Sequence, residues 1–109
     1  LLIRAFNPEI FWGEKPMDFS FLNALYRASA MPPPEPGFAG SPLHYTYFGT
    51  YVVAAVGKAL AIHPALMFNL GIAMTAALTT SPVFAAGAAL GRRWTVGAVA
   101  AFLATLTGN

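Results

Sequence analysis

The sequence predicts an all-α membrane protein, and two observations lead to this prediction. Apolar residues make up 57% of the chain and charged residues only 9%, against about 25% charged residues in soluble domains. No charged residue occurs between Lys58 and Arg92. A chain with so little polar surface cannot cover itself in water, so a lipid bilayer is its natural surrounding.

Composition also excludes several classes of function. The net charge is +2 and the basic residues are scattered, whereas a nucleic-acid interface needs them on one face. The chain contains no cysteine, which excludes disulfides and thiolate metal sites. His44 and His63 have no partner at metal-ligand spacing. We therefore predict no metal, no cofactor and no nucleic-acid partner.

Residues 1–6 are predicted to be the end of a first transmembrane helix, broken at Asn7-Pro8. Arg4 in this segment is either an interface anchor or a phosphate ligand. The chain begins without methionine, and its last apolar run has only 14 residues, from Trp94 to Thr107, where a span needs about 20. We expect a piece of a larger membrane protein; a short subunit processed at its N-terminus is the alternative.

Residues 7–63 are predicted to form an external loop that carries two helices. The first, about residues 18–30, is amphipathic and too short to span, so we expect it to lie on the membrane surface with Asp18 as its N-cap. Five prolines then make residues 31–42 an irregular connection. The second helix, about residues 45–62, is apolar, but its aromatic start and Lys58 favour a juxtamembrane position.

Residues 64–90 are predicted to form a transmembrane helix. Pro64 suits its first turn, Pro82 should kink it, and Gly87 and Gly91 have the spacing of a close helix contact. Its 27 residues reach about 40 Å, enough to cross with tilt. Residues 91–93 form a turn that the positive-inside rule makes cytoplasmic, and residues 94–109 start a further transmembrane helix. If residues 45–62 also spanned the membrane, the acidic loop would share the cytoplasmic side.

All four carboxylates lie in the first third of the chain, and the loop before the amphipathic helix holds Glu14 and Asp18. Polar chemistry is therefore expected near this loop. Most surface carboxylates are solvated and have no catalytic role. The residue types alone therefore leave a catalytic role of Glu14 and Asp18 open.

Several motifs resemble the Chlor_Arch_YYY family of multi-pass membrane proteins, which is grouped with GT-C-type glycosyltransferases. The similarity covers about residues 3 to 90, and its most specific part is the Glu-Lys-Pro-Met-Asp-Phe run. The sequence departs from the family pattern at Glu35, Gly37 and Thr46. The matching motifs are Arg4-Ala5-Phe6-Asn7-Pro8-Glu9-Ile10, Gly13-Glu14-Lys15-Pro16-Met17-Asp18-Phe19, Leu22-Asn23-Ala24, Pro32-Pro33-Pro34, Ala39-Gly40, Tyr45-x-Tyr47-Phe48-Gly49 and Asn69-Leu70.

This resemblance implies the N-terminal part of a GT-C-like helical bundle that transfers a sugar from a polyprenyl-phosphate carrier on the external face of the cell membrane. The family's external acid best matches Asp18, with Glu14 second, and a single general base can suffice because a lipid phosphate leaves readily. Cations must balance the phosphate charge, and Arg4, Lys15 and Arg27 are the candidates. The lipid bilayer, the lipid-linked sugar donor and other membrane subunits are the expected partners.

Two other functions are alternatives to the glycosyltransferase hypothesis. One is a non-catalytic membrane subunit packed in a larger complex, with the acidic loop as a docking surface, which the many small residues favour. The other is a transporter fragment, which is weaker because no carboxylate lies inside a predicted span.

Overall fold

The computed structural model describes residues 2–11 and 13–106, and it is all-helical, with 68% of these residues in helices. Within these residues the only β-pairing is an isolated bridge between Pro34 and Pro42. The predicted all-α class is confirmed. The chain divides into two compact units, Leu1–Gly71 and Ile72–Asn109. The helices are α1 (Leu2–Phe6), α2 (Lys15–Arg27), α3 (Phe48–Ala59), α4 (Pro64–Gly91) and α5 (Trp94–Leu106).

The amphipathic helix α2 begins earlier than the sequence suggests. Glu14 holds the N-cap position without a side-chain hydrogen bond, and Pro16 lies inside the first turn. Proline is tolerated there because the first amides of a helix have no intrahelical partner. The prediction that Asp18 is the N-cap is therefore wrong: Asp18 lies one turn further in. The helix also ends at Arg27, where Ala28 turns to an extended conformation.

The proline-rich connection folds back on itself. The amide of Glu35 donates to the Ser41 carbonyl at 2.9 Å, and the amide of Leu43 donates to the Pro33 carbonyl at 2.9 Å. Pro33 and Leu43 are buried, and Gly40 adopts a left-handed φ of 85°. The connection is thus an ordered loop anchored by two apolar side chains.

Helix α3 begins at Phe48, three residues after the start that the aromatic cluster suggested. Its 12 residues reach about 18 Å, against about 30 Å for a membrane core. The helix packs on α2 at Gly57, where an added Cβ would overlap the Tyr26 hydroxyl oxygen. That hydroxyl donates to the Ile62 carbonyl at 3.2 Å, and burial raises the pKa of Tyr26, which keeps the donor protonated.

The core of the first unit lies between α2, α3 and the first turns of α4. Leu22 and Leu25 are 1% exposed and pack with Ala54 and Phe68. The rings of Phe19 and Phe68 meet edge to face with centroids 5.6 Å apart. The buried residues of α2 are Phe21, Leu22 and Leu25. The apolar side of this amphipathic helix therefore faces the core.

Helix α4 is the one described helix that is long and apolar enough to cross a membrane. Its 28 residues begin at Pro64, as predicted, and the helix continues through Pro82. Its first turns bury Met67, Phe68 and Gly71.

The second unit consists of the later part of α4 and helix α5. A Cβ on Gly87 would lie 2.9 Å from the Ala100 Cβ, and one on Gly91 would lie 2.6 Å from the Val96 Cβ. The Thr80 and Thr105 hydroxyls are 2.8 Å apart. The small-residue spacing at Gly87 and Gly91 therefore supports a close contact with α5. Helix α5 is described to Leu106, so residues 107–109 of the predicted further span lie outside the described residues, as does Leu1.

Candidate functional site

The first turn of α2 brings the two predicted acids together. Residues four apart on a helix are neighbours, and Glu14 and Asp18 have this spacing, with the Asp18 amide donating to the Glu14 carbonyl at 3.0 Å. Glu14 is exposed and Asp18 is half-buried. The turn thus carries two acids of different exposure.

Two effects raise the pKa of Asp18 above the ordinary carboxyl value. Burial, which disfavours the charged form, is the larger, and repulsion from the Glu14 carboxylate adds to it. A carboxylate with a raised pKa binds a proton more readily than an ordinary aspartate does, which suits Asp18 to accept a proton.

The predicted cations do not gather at one point. Lys15 shares the first turn of α2 with Asp18, whereas Arg27 lies in its last turn, about 18 Å further along the helix axis at 1.5 Å per residue. Arg27 is exposed. Of Lys15 and Arg27, only Lys15 therefore lies in the same helical turn as Asp18.

Arg4 is held by a partner that sequence reasoning did not assign to it. Its Nε donates to the Asn69 Oδ1 at 2.8 Å, and its Nη2 donates to the same oxygen and, at 3.3 Å, to the Glu9 carbonyl. Asn69 in turn donates to the carbonyls of Pro8, at 3.3 Å, and Ala65, at 3.0 Å. The bond to Ala65 goes to the carbonyl four residues earlier in the same helix. The one signal for this contact in the sequence was Asn69 itself, a polar side chain in an otherwise apolar run.

Two neighbouring surface grooves lie beside α3. One, of about 450 Å³, runs between the end of α2 and Lys58, whose Nζ donates to the Ala28 carbonyl at 3.3 Å. The other, of about 390 Å³, is mostly aromatic and shares Met31 and Tyr51 with the first. Sequence reasoning treated these aromatics as interface residues and did not predict a groove. The second groove is lined by Met31, Tyr45, Thr46, Tyr47, Phe48 and Tyr51.

Comparison with known protein families gives one match over the whole chain. The model of a family described as uncharacterized membrane protein (DUF2298) matches residues 1–109. The chain belongs to the DUF2298 family. Membership establishes a membrane protein in contact with a lipid bilayer and agrees with α4 as a candidate span. No curated protein and no solved structure matches the chain.

Family membership does not test the finer predictions for this DUF2298 protein. The resemblance to the Chlor_Arch_YYY family and to GT-C glycosyltransferases stays a prediction, as do the roles of the five site residues. Among the described residues, no group of three His, Asp or Glu side chains is arranged to hold a metal ion. His44 and His63 are both exposed, and the His63 Nδ1 accepts the Ala65 amide at 3.3 Å.

Proposed function

We propose that this DUF2298 protein belongs to a membrane glycosyltransferase of the GT-C type, which transfers a sugar from a polyprenyl-phosphate carrier to an acceptor hydroxyl. The observation that carries the proposal is the raised pKa of the half-buried Asp18 beside Glu14, at the start of a surface helix. The resemblance around the Glu-Lys-Pro-Met-Asp-Phe run supports the same residue.

In the proposed reaction Asp18 is the general base. Its carboxylate takes the proton of the acceptor hydroxyl, and the acceptor oxygen forms a bond to the anomeric carbon of the sugar. The bond between that carbon and the phosphate oxygen breaks, and the polyprenyl phosphate leaves with the electron pair. The leaving group needs no proton because a phosphate is stable as an anion, so one base suffices.

Cations would balance the negative charge that develops on the leaving phosphate. Lys15 lies in the same helical turn as Asp18, and Arg4 is fixed at the loop that precedes α2 by its bonds to Asn69 and the Glu9 carbonyl. Arg27 at the far end of α2 would contact a more distant part of the donor or acceptor.

The proposed site lies on the external face of the membrane. The paired Arg92 and Arg93 after α4 favour the cytoplasm at that end, which places the start of α4 and the acidic loop outside. The shortness of α3 supports this arrangement, because a spanning α3 would reverse the side of the loop.

Replacing Asp18 by Asn tests the proposal. We expect Asp18→Asn to abolish transfer of labelled sugar from polyprenyl phosphate in membranes that contain the intact protein, since the amide cannot accept the proton. Expression should persist. Folding stability at neutral pH should be at least that of the parent, because a raised folded-state pKa means that ionised Asp18 costs stability above the ordinary carboxyl pKa.

The matched control is Glu35→Gln, which removes one carboxylate from the proline-rich connection and should leave transfer unchanged. Unchanged transfer by Asp18→Asn would show that Asp18 is not the general base. Absence of transfer by the parent protein, together with loss of a co-purifying subunit in Asp18→Asn, would favour the non-catalytic subunit instead.

A further inference from the structure

Arg4 is half-buried and has no counter-ion among the residues that the structure describes. Its three hydrogen bonds go to neutral oxygens, the Asn69 side-chain amide and the Glu9 backbone carbonyl. Among the described residues no carboxylate is bonded to it, and Glu9 contributes its main chain alone. The positive charge therefore remains available to an external anion, and a cation removed from water gains most from such a partner.

The hydrogen bonds also fix which edge of the guanidinium is free. Arginine has five N–H donors in a rigid planar fork, and the Nε and Nη2 edge is turned to Asn69. Among the described residues Nη1 has no hydrogen-bond partner, so its two N–H groups are left over. Asn69 is itself held by two carbonyls, Pro8 and Ala65, which fixes the direction of its oxygen.

We propose that Asn69 is a positioning residue that holds Arg4 with its Nη1 edge ready to bind the phosphate group of a lipid. Nε and Nη2 are already bonded, so phosphate would be held by the unbalanced charge of the guanidinium and by charge-assisted hydrogen bonds from Nη1. The assignment of a lipid phosphate rests on the proposed function, whereas the anion site itself rests on the geometry of Arg4.

The neighbourhood is consistent with a ligand at a membrane surface. Asn69 lies within the first turns of α4, and Arg4 lies near the end of the short helix α1. Their bonds join residues 65 positions apart, so the cation is placed by the fold of the first unit and not by a flexible tail. A rigid cation loses less conformational entropy on binding than a free arginine does.

A test must separate anion binding from a purely structural tie between Arg4 and α4. The decisive variant is Asn69→Asp, whose carboxylate can accept the same N–H groups and keep Arg4 in place while neutralising its charge. Arg4→Gln removes the charge and the fork. Arg93→Gln lowers the net charge by the same amount at the turn after α4 and is the matched control.

The measurement is the rise in unfolding temperature of the intact protein on addition of phosphate, from whose concentration dependence the dissociation constant follows. One arm uses inorganic phosphate with the protein in phosphatidylcholine nanodiscs. The other compares nanodiscs of phosphatidylcholine alone with nanodiscs that also contain phosphatidic acid. The two arms distinguish free phosphate from a lipid headgroup.

We expect the parent and Arg93→Gln to be stabilised in both arms. Asn69→Asp and Arg4→Gln should weaken phosphate binding about tenfold to a hundredfold, as the loss of a charge-assisted hydrogen bond does. Asn69→Asp gives up the two bonds that the Asn69 amide donates to the Pro8 and Ala65 carbonyls and gains an ion pair with Arg4, so it should still unfold cooperatively without phosphate. Equal phosphate responses in the parent and Asn69→Asp would overturn the site. A response to inorganic phosphate without one to phosphatidic acid would overturn the lipid assignment.

These outcomes are independent of sugar transfer. Phosphate binding that depends on Arg4 and Asn69, in a protein whose Asp18→Asn variant transfers sugar normally, would refute the proposed base and leave the anion site intact. Loss of transfer in Asp18→Asn, with no phosphate response in the parent, would support Asp18 as the base and refute the anion site.

Discussion

At the scale of single residues, Glu14 acts on Asp18 through charge. The Glu14 carboxylate contributes to the raised pKa of Asp18, second to burial. A general base works only when it is deprotonated, so the rate falls as pH drops through its pKa. The acid side of the pH–rate profile therefore reports the interaction between these two residues.

We predict that Glu14→Gln shifts the acid limb of the transfer rate to lower pH and keeps the rate at neutral pH. The substitution removes the repulsion and so lowers the pKa of Asp18, although burial still raises it. The measurement is the transfer rate from acidic to neutral pH, with Glu35→Gln as the control that should leave the profile in place. Complete loss of activity in Glu14→Gln at every pH would instead make Glu14 the base.

At the scale of helices, the contact between α2 and α3 depends on Gly57. Its missing side chain makes room for the Tyr26 ring and hydroxyl, and the hydroxyl donates to the Ile62 carbonyl in the loop after α3. An added methyl group would displace the tyrosine and break this bond.

We predict that Gly57→Ala lowers the free energy of unfolding by about 1–3 kcal/mol, the usual cost of overpacking. Gly49→Ala is the control on the same helix: a Cβ at Gly49 meets nothing within 4 Å, so stability should be unchanged or slightly raised. Adding Tyr26→Phe to Gly57→Ala should cost less than the sum of the two single changes, because both disturb one contact. Equal stability of Gly57→Ala and Gly49→Ala, measured by denaturant unfolding, would contradict this packing.

Local signals in the sequence predicted the helices better than the contacts between them. Pro64 and the paired arginines gave both ends of α4 to within one residue, because start and stop signals are local. The start of α2 was predicted too late, at Asp18, because Pro16 lies inside the first turn and proline can either precede a helix or lie in that turn. The bond between Arg4 and Asn69 and the fit of Tyr26 on Gly57 join distant segments, and no periodicity encodes such pairs.

At the scale of the whole molecule, topology is the prediction on which the location of the site depends. The chain contains no cysteine, so single cysteines can be introduced for labelling. Ala39 is exposed in the proline-rich connection, and Arg93 lies exposed at the turn after α4.

We expect a membrane-impermeant maleimide to label Ala39→Cys in intact right-side-out vesicles and Arg93→Cys only after the vesicles are permeabilised. The expectation rests on α4 as the one candidate span among the described residues and on the 12 residues of α3, which are fewer than a span needs. Labelling of both variants from the same side would mean that residues 45–62 also span the membrane, and the acidic loop would then be cytoplasmic.

The burial of the first turns of α4 has a consequence for hydrophobic mismatch. The first unit ends at Gly71, and α4 ends at Gly91, so 91 − 71 = 20 residues of the helix remain beyond it. Twenty residues reach about 30 Å, which equals the hydrocarbon thickness of a typical bilayer. We therefore expect the part of α4 beyond Gly71 to be long enough by itself to match the hydrocarbon core, so that the bilayer need not thin around it.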